Sequence, residues 1–141
     1  MMDWKECWDK RIVKDARKDE NLIKSLIEMS SIKEKIVNSV EIDENSALVY
    51  IPTAYDSLRE LIEALALKKG FKIYNHECYT AFLKEIINEP RLGEEFDKVR
   101  IVRNSINYYG KRISIEDARK VINSITLLRK KIKILLGEIK K

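Results

Sequence analysis

Val99-Arg100-Ile101-Val102-Arg103-Asn104-Ser105-Ile106-Asn107-Tyr108-Tyr109-Gly110 reads as the end of a helix. At about 100° per residue, Phe96, Val99, Val102, Ile106 and Tyr109 fall on one apolar stripe. Arg100, Arg103 and Asn107 form a polar strip beside it, and Ile101, Asn104 and Tyr108 flank that strip. Cations and amides held between two semi-apolar edges suggest a helix covered on both sides. One cover would be the chain's own core, the other a second copy. Gly110 suits the left-handed residue that commonly follows a last helical turn.

The rest of the chain shows the same helical spacing. Glu20 to Val40 carries Leu22, Leu26, Met29, Ile36 and Val40 as a core stripe, widened by Ile23, Ile27 and Ile32. A second long helix is expected from Glu44 to Lys69, facing inward with Ile51, Tyr55, Leu58, Ile62 and Leu65. Pro52 lacks an amide donor, so a kink or a true start is expected there. Asn75 is a cap for a third helix that Pro90 would stop, with Tyr79, Phe82, Leu83 and Ile86 inward. The fourth runs from Gly93 to Tyr109. The fifth opens at Ser114 and runs to Lys140, with Ile115, Ala118, Ile122, Ile125, Ile132, Leu136 and Ile139 in step. Residues 1–18 hold Trp4, Trp8 and Ile12 at helical spacing, a short element docked on the bundle. The expectation is all-α: an up-and-down bundle of about five helices in a single domain spanning 1–141, its bundle proper at 20–140.

Composition limits the function classes. The chain has 141 residues, 45% hydrophobic and 36% charged, with four glycines and two prolines, which leaves little room for an all-β fold. No apolar run nears the ~18–20 residues that cross a bilayer. The opening Met1-Met2-Asp3-Trp4-Lys5-Glu6 is acidic where a secretion signal would be basic, so the expected location is cytoplasmic. Cys7 and Cys78 then read as separate buried thiols. His76 and Cys78 diverge on a helix, so no metal and no cofactor is expected. Net charge is +5, and from Lys111 onward ten bases face three acids. Such a final helix could attract RNA or an acidic partner. No aromatics interleave with those bases, so the segment offers no stacking platform.

Arg103-Asn104-Ser105-Ile106-Asn107-Tyr108 resembles the Arg-Asn-x-x-x-His signature of HEPN domains, small helical nucleotide-binding and RNase domains of higher eukaryotes and prokaryotes. Tyr55 to Leu65 is similar to that family's second helix, and Lys69-Gly70-Phe71, Asn75-His76-Glu77-Cys78 and Phe82-Leu83 to its link into the third. The likeness covers roughly residues 20–140. Where the signature has histidine, this chain has Tyr108.

The resemblance implies a HEPN-like bundle, a homodimer, and an RNA or nucleotide ligand. Arg100, Arg103, Asn104 and Asn107 would hold phosphate, a role that suits the planar guanidinium fork. It further implies a metal-independent endoribonuclease in which Arg103 stabilises charge on the phosphate and the histidine position, here Tyr108, handles the proton. A tyrosine's ordinary pKa near ~10, against ~6.5 for histidine, makes it a poor base. The first expectation is therefore a binding module without catalysis, the alternative a toxin-like ribonuclease, and a third a purely structural polar network. Prokaryotic members are often paired with a small nucleotidyltransferase that modifies a tyrosine near the motif, which implies such a partner and Tyr108 as the modified residue. Arg59, Glu60 and Glu63 are the polar residues of the second helix expected to support the strip around Arg103. His76, the only histidine, lies in a first helical turn and reads as packing or capping.

Overall fold

A computed structural model describes residues 1–140. It is an all-α bundle with one small sheet: α1 (Trp4–Asp9), β1 (Val13–Asp15), α2 (Glu20–Asn38), α3 (Ala47–Lys68), β2 (Phe71–Ile73), α4 (His76–Ala81), α5 (Pro90–Tyr109) and α6 (Ile115–Leu136). A π-helical turn, Phe82–Ile86, continues α4. Among the described residues no helix is long and apolar enough to cross a membrane.

The hub is α3. Ile51, Tyr55, Leu58, Leu61, Ile62 and Leu65 are all buried, and so are Ala64, Ala66 and Leu67 on its other sides. Burial all round its C-terminal half, at Ala64 to Leu67, suits the centre of a bundle, and α2, α4, α5 and α6 all lean on this helix. Its start is set by the turn before it. Asp43 Oδ1 accepts from the amides of Asn45 (2.8 Å) and Ser46 (2.7 Å), and Ser46 Oγ accepts from the Asp43 amide. These bonds, the Ser46 amide first, hold the Asp43 carboxyl below its usual range. Pro52 lies within the helix rather than starting it.

The caps follow side-chain chemistry. Asp19, Asn75 and Ser114 each accept a backbone N–H in the first turn of the helix they open. Gly110, at φ +61°, closes α5 as expected. Pro90 does not stop the helix before it; it occupies the first turn of α5, where a missing N–H has no bond to lose. α6 ends at Leu136 before Gly137, at φ +79°, so Ile139 lies beyond the helix and 38% exposed.

Three departures matter. First, β1 and β2 pair antiparallel, Val13 opposite Ile73 and Asp15 opposite Phe71. Strands of three residues carry no readable alternation. Second, Cys7 and Cys78 are not separate thiols but bonded to each other, their Cα atoms 6.1 Å apart. Linear separation concealed this, because α1 folds back across α4. Trp4 packs on Phe71 (5.2 Å between rings) and Phe82 (5.9 Å), and Trp8 on Phe71 (6.1 Å), which is the docking expected of the leader.

Third, α2 is turned from the expected stripe. It buries Ile23, Leu26, Ser30 and Val37, and leaves Leu22, Met29, Ile32 and Ile36 exposed. Ser30 explains the rotation. Its hydroxyl donates to the Ser57 carbonyl (2.5 Å) and accepts from Arg129 Nη2 (2.8 Å), and Arg129 also pairs with Glu34. Arg129, counted by sequence among the basic face of the last helix, is 2% exposed. A buried guanidinium needs such partners, and they select the inner face.

Candidate functional site

α5 delivers its polar strip to the mouth of a cleft formed with α4 and the end of β2. The lining residues are Tyr74, Asn75, His76, Arg100, Arg103, Asn104 and Tyr108, around an open volume of about 240 Å³. Of the residues predicted from sequence, Arg100, Arg103, Asn104 and Tyr108 come together here. Asn107 is exposed and does not line the cleft. Tyr109, expected inward, is 75% exposed, more than Tyr108 at 68%. It occupies the last helical position before Gly110, past the point where the core can cover it.

Arg103 is the centre. Its guanidinium lies 5.2 Å from the ring of Tyr55 and 5.5 Å from that of Tyr108, a cation held between two aromatic faces. Nη1 donates to Asn104 Oδ1 (3.1 Å) and to Tyr108 Oη (3.3 Å). Nε is buried with no hydrogen-bond partner, and among the described residues no carboxylate pairs with this guanidinium. Arg100 differs: its Nε donates to Asp97 Oδ1 (2.8 Å), which also accepts from Thr80 Oγ1 (3.2 Å). Asp97 thereby fixes Arg100 and links α4 to α5.

The expected supports lie elsewhere. Glu60 is buried against Lys33 of α2 (2.9 Å). Glu63 joins Arg59 (3.2 Å) and Lys72 (2.5 Å). None of these carboxylates pairs with Arg103; of the two cleft arginines, only Arg100 has a carboxylate partner among the described residues, Asp97. Arg59 still acts on the site through its field, as His76 shows.

His76 is the residue that sequence reasoning set aside. Its Nδ1 lies 3.0 Å from the hydroxyl of Tyr55, and its ring sits 5.6 Å from that tyrosine's ring. Burial, then the fields of Arg59 and Arg103, lower its pKa to about 4, against a smaller opposing effect of Asp56. The ring is therefore neutral at pH 7. Burial also holds the Tyr55 hydroxyl above its usual range, so it stays protonated. A neutral imidazole has one donor and one acceptor nitrogen. With Tyr55 donating to Nδ1, Nε2–H becomes a donor; with Nδ1–H donating to Tyr55, Nε2 becomes an acceptor. The signal available in sequence was the Asn75 cap, which puts the next residue at the open end of α4 and so beside whatever faces that end.

Two arginines, a neutral histidine, two amides and two exposed tyrosines can together bind an anion with an attached planar group. No cluster of three or more metal-ligating side chains occurs among the described residues. No family model, no curated protein and no solved structure matches this chain.

Proposed function

We propose that this cleft binds a phosphate group of a nucleotide or of single-stranded RNA, with Arg103 as the principal contact. The observation that carries the reading is the state of Arg103: a buried Nε without a partner, no carboxylate against the guanidinium, and an open cleft in front of it. A guanidinium serving only to tie helices together would be neutralised, as Arg129 is by Glu34. Arg100, held by Asp97, lines the cleft beside Arg103, Asn104 and Asn75 offer amides, and Tyr74 and Tyr108 offer exposed faces for a base. Asn107 stands outside the lining and is not among the contacts assigned to the ligand.

The resemblance to HEPN domains extends this reading to a homodimeric nucleotide- or RNA-associated protein, with a small nucleotidyltransferase as a partner and the exposed Tyr108 as the residue such an enzyme would modify. A cytoplasmic setting goes with it. The Cys7–Cys78 bond is the one feature that pulls the other way, because reducing compartments keep thiols free.

One observation favours a second reading, metal-independent cleavage of RNA. His76 lines the cleft beside Arg103 with a neutral ring that has a nitrogen able to take a proton, though its lowered pKa makes it a weak base, while Arg103 would stabilise charge on the phosphate.

The test is binding of a fluorescently labelled single-stranded RNA and of AMP to the wild-type chain and to Arg103→Ala. Loss of a charge-assisted contact of ~1.5–3 kcal/mol predicts weakening by roughly 10- to 100-fold. Equal affinity in the variant sinks the proposal. Cleavage of the same RNA in EDTA, abolished by His76→Ala with binding retained, would move the assignment to the ribonuclease.

A further inference from the structure

On α2, Leu22, Met29, Ile32 and Ile36 are between 39% and 51% exposed. They are not scattered. Residues 22, 29 and 36 recur at seven, and Ser25 and Ile32 fall between them, the spacing of the seam in a two-stranded coiled coil. On this helix the seam lies roughly 110° from the buried face of Ile23, Leu26, Ser30 and Val37, taking about 100° per residue. It is a second contact surface, separate from the one that joins α2 to α3.

From this pattern we infer that α2 is the self-association surface of the chain, packing antiparallel on α2 of a second copy. The charges identify the occupant. Glu28 and Lys35 flank the seam on its solvent side, both exposed, and neither makes an ion pair among the described residues. In an antiparallel pair with Met29 of one copy over Ile32 of the other, the two-fold axis runs between those layers. Ile36 then covers the small Ser25 of its partner. In that register Glu28 meets the partner's Lys35, and Lys35 the partner's Glu28. Opposite charges seven residues apart on one edge are self-complementary only when the helices run in opposite directions. Such an edge offers no net charge to an anionic membrane or to nucleic acid.

One helical seam is smaller than the ~800 Å² per partner of a standard interface, so the expected association is micromolar. The Arg103 cleft opens between α4 and α5, elements that make no part of this seam. The inference therefore stands independently of the ligand reading.

The experiment is sedimentation equilibrium of the full chain from about 1 to 200 µM, a range that brackets a micromolar Kd. Wild type is expected to be a concentration-dependent dimer. Glu28→Lys and Lys35→Glu each turn two attractions into two repulsions and should each weaken the dimer roughly tenfold. The double variant restores opposite charges and should return the dimer to near wild-type strength. Ile32→Asp should give a monomer. All three positions are exposed, so far-ultraviolet circular dichroism is expected to stay unchanged in every variant. A wild type that is monomeric throughout overturns the inference. So does a dimer indifferent to Ile32→Asp, or a double variant as weak as the single ones.

Discussion

Acidification offers a direct test of the electrostatics assigned to the cleft, because the chain has one histidine and its ring signals in an NMR spectrum need no assignment. His76 ionises in the folded chain at about 4, against an ordinary histidine value near ~6.5. Where the folded value is the lower one, the unfolded chain takes up the proton first. The neutral ring's contribution is thus intact above about pH 6.5 and is lost as pH falls toward 4. A difference of that size corresponds to a ceiling of about 3 kcal/mol, at ~1.36 kcal/mol per unit. The ring is only half-buried, and solvent screening brings the expected loss to roughly 1–2 kcal/mol.

The assay is urea unfolding at several pH values for wild type and His76→Gln, a substitution that keeps a hydrogen-bonding partner for Tyr55. Carboxylates titrate in both proteins, so the difference between the two curves isolates the ring. The wild type should lose stability relative to the variant between pH 6.5 and 4. In the spectrum, the ring resonance should titrate well below its usual range and move upward in Arg103→Ala. Inorganic phosphate should also raise the apparent pKa, since an anion offsets the arginine field. Parallel stability curves together with a ring that titrates between about pH 6 and 7 would refute both the burial and the arginine field.

Two other outcomes are expected. A Cβ on Gly93 would stand 2.6 Å from Lys84 Cγ and 3.1 Å from the Thr80 carbonyl oxygen. The lysine can move but the carbonyl belongs to α4, so Gly93→Ala should lower stability by roughly 1–3 kcal/mol by urea unfolding; an unchanged midpoint would show that α5 can shift freely against α4. Removing the Cys7–Cys78 bond, which joins residues 71 apart, should destabilise by up to roughly 4 kcal/mol if loop closure in the unfolded chain dominates. Thermal unfolding of Cys7→Ala/Cys78→Ala checks this, and an unchanged midpoint would mean that the tryptophans alone dock α1.

The long helices were legible because their apolar spacing is regular and their caps are chemically distinct. Asn75 and Ser114 open helices as their side chains require, and Gly110 ends one. Tyr55, Leu58 and Ile62 suffice for a one-faced stripe on α3; the burial all round its C-terminal half shows in Ala64-Leu65-Ala66-Leu67, which spacing alone does not distinguish from a wide face. α2 was misread for a definite reason. A serine at the innermost position and isoleucines on the outside invert the usual correlation, and only the distant Arg129 makes sense of it. The cleft was half legible. Arg100, Arg103, Asn104 and Tyr108 share a helix, so their proximity follows from spacing. His76 and Tyr55 reach them from two other elements, and no local pattern encodes that meeting.

The latch of Ser30, Arg129 and Glu34 has a consequence for how α2 can be oriented. Rolling the helix by one residue would tuck Leu22, Met29 and Ile36 against α3 in place of Ile23, Leu26 and Val37, an exchange roughly even in hydrophobicity. It would also carry Ser30 away from the Ser57 carbonyl and strand the guanidinium of Arg129 in the bundle without a hydroxyl to receive it. The polar pin works as a stop on the shaft: of two comparable oily edges it decides which one faces inward and which is left turned outward.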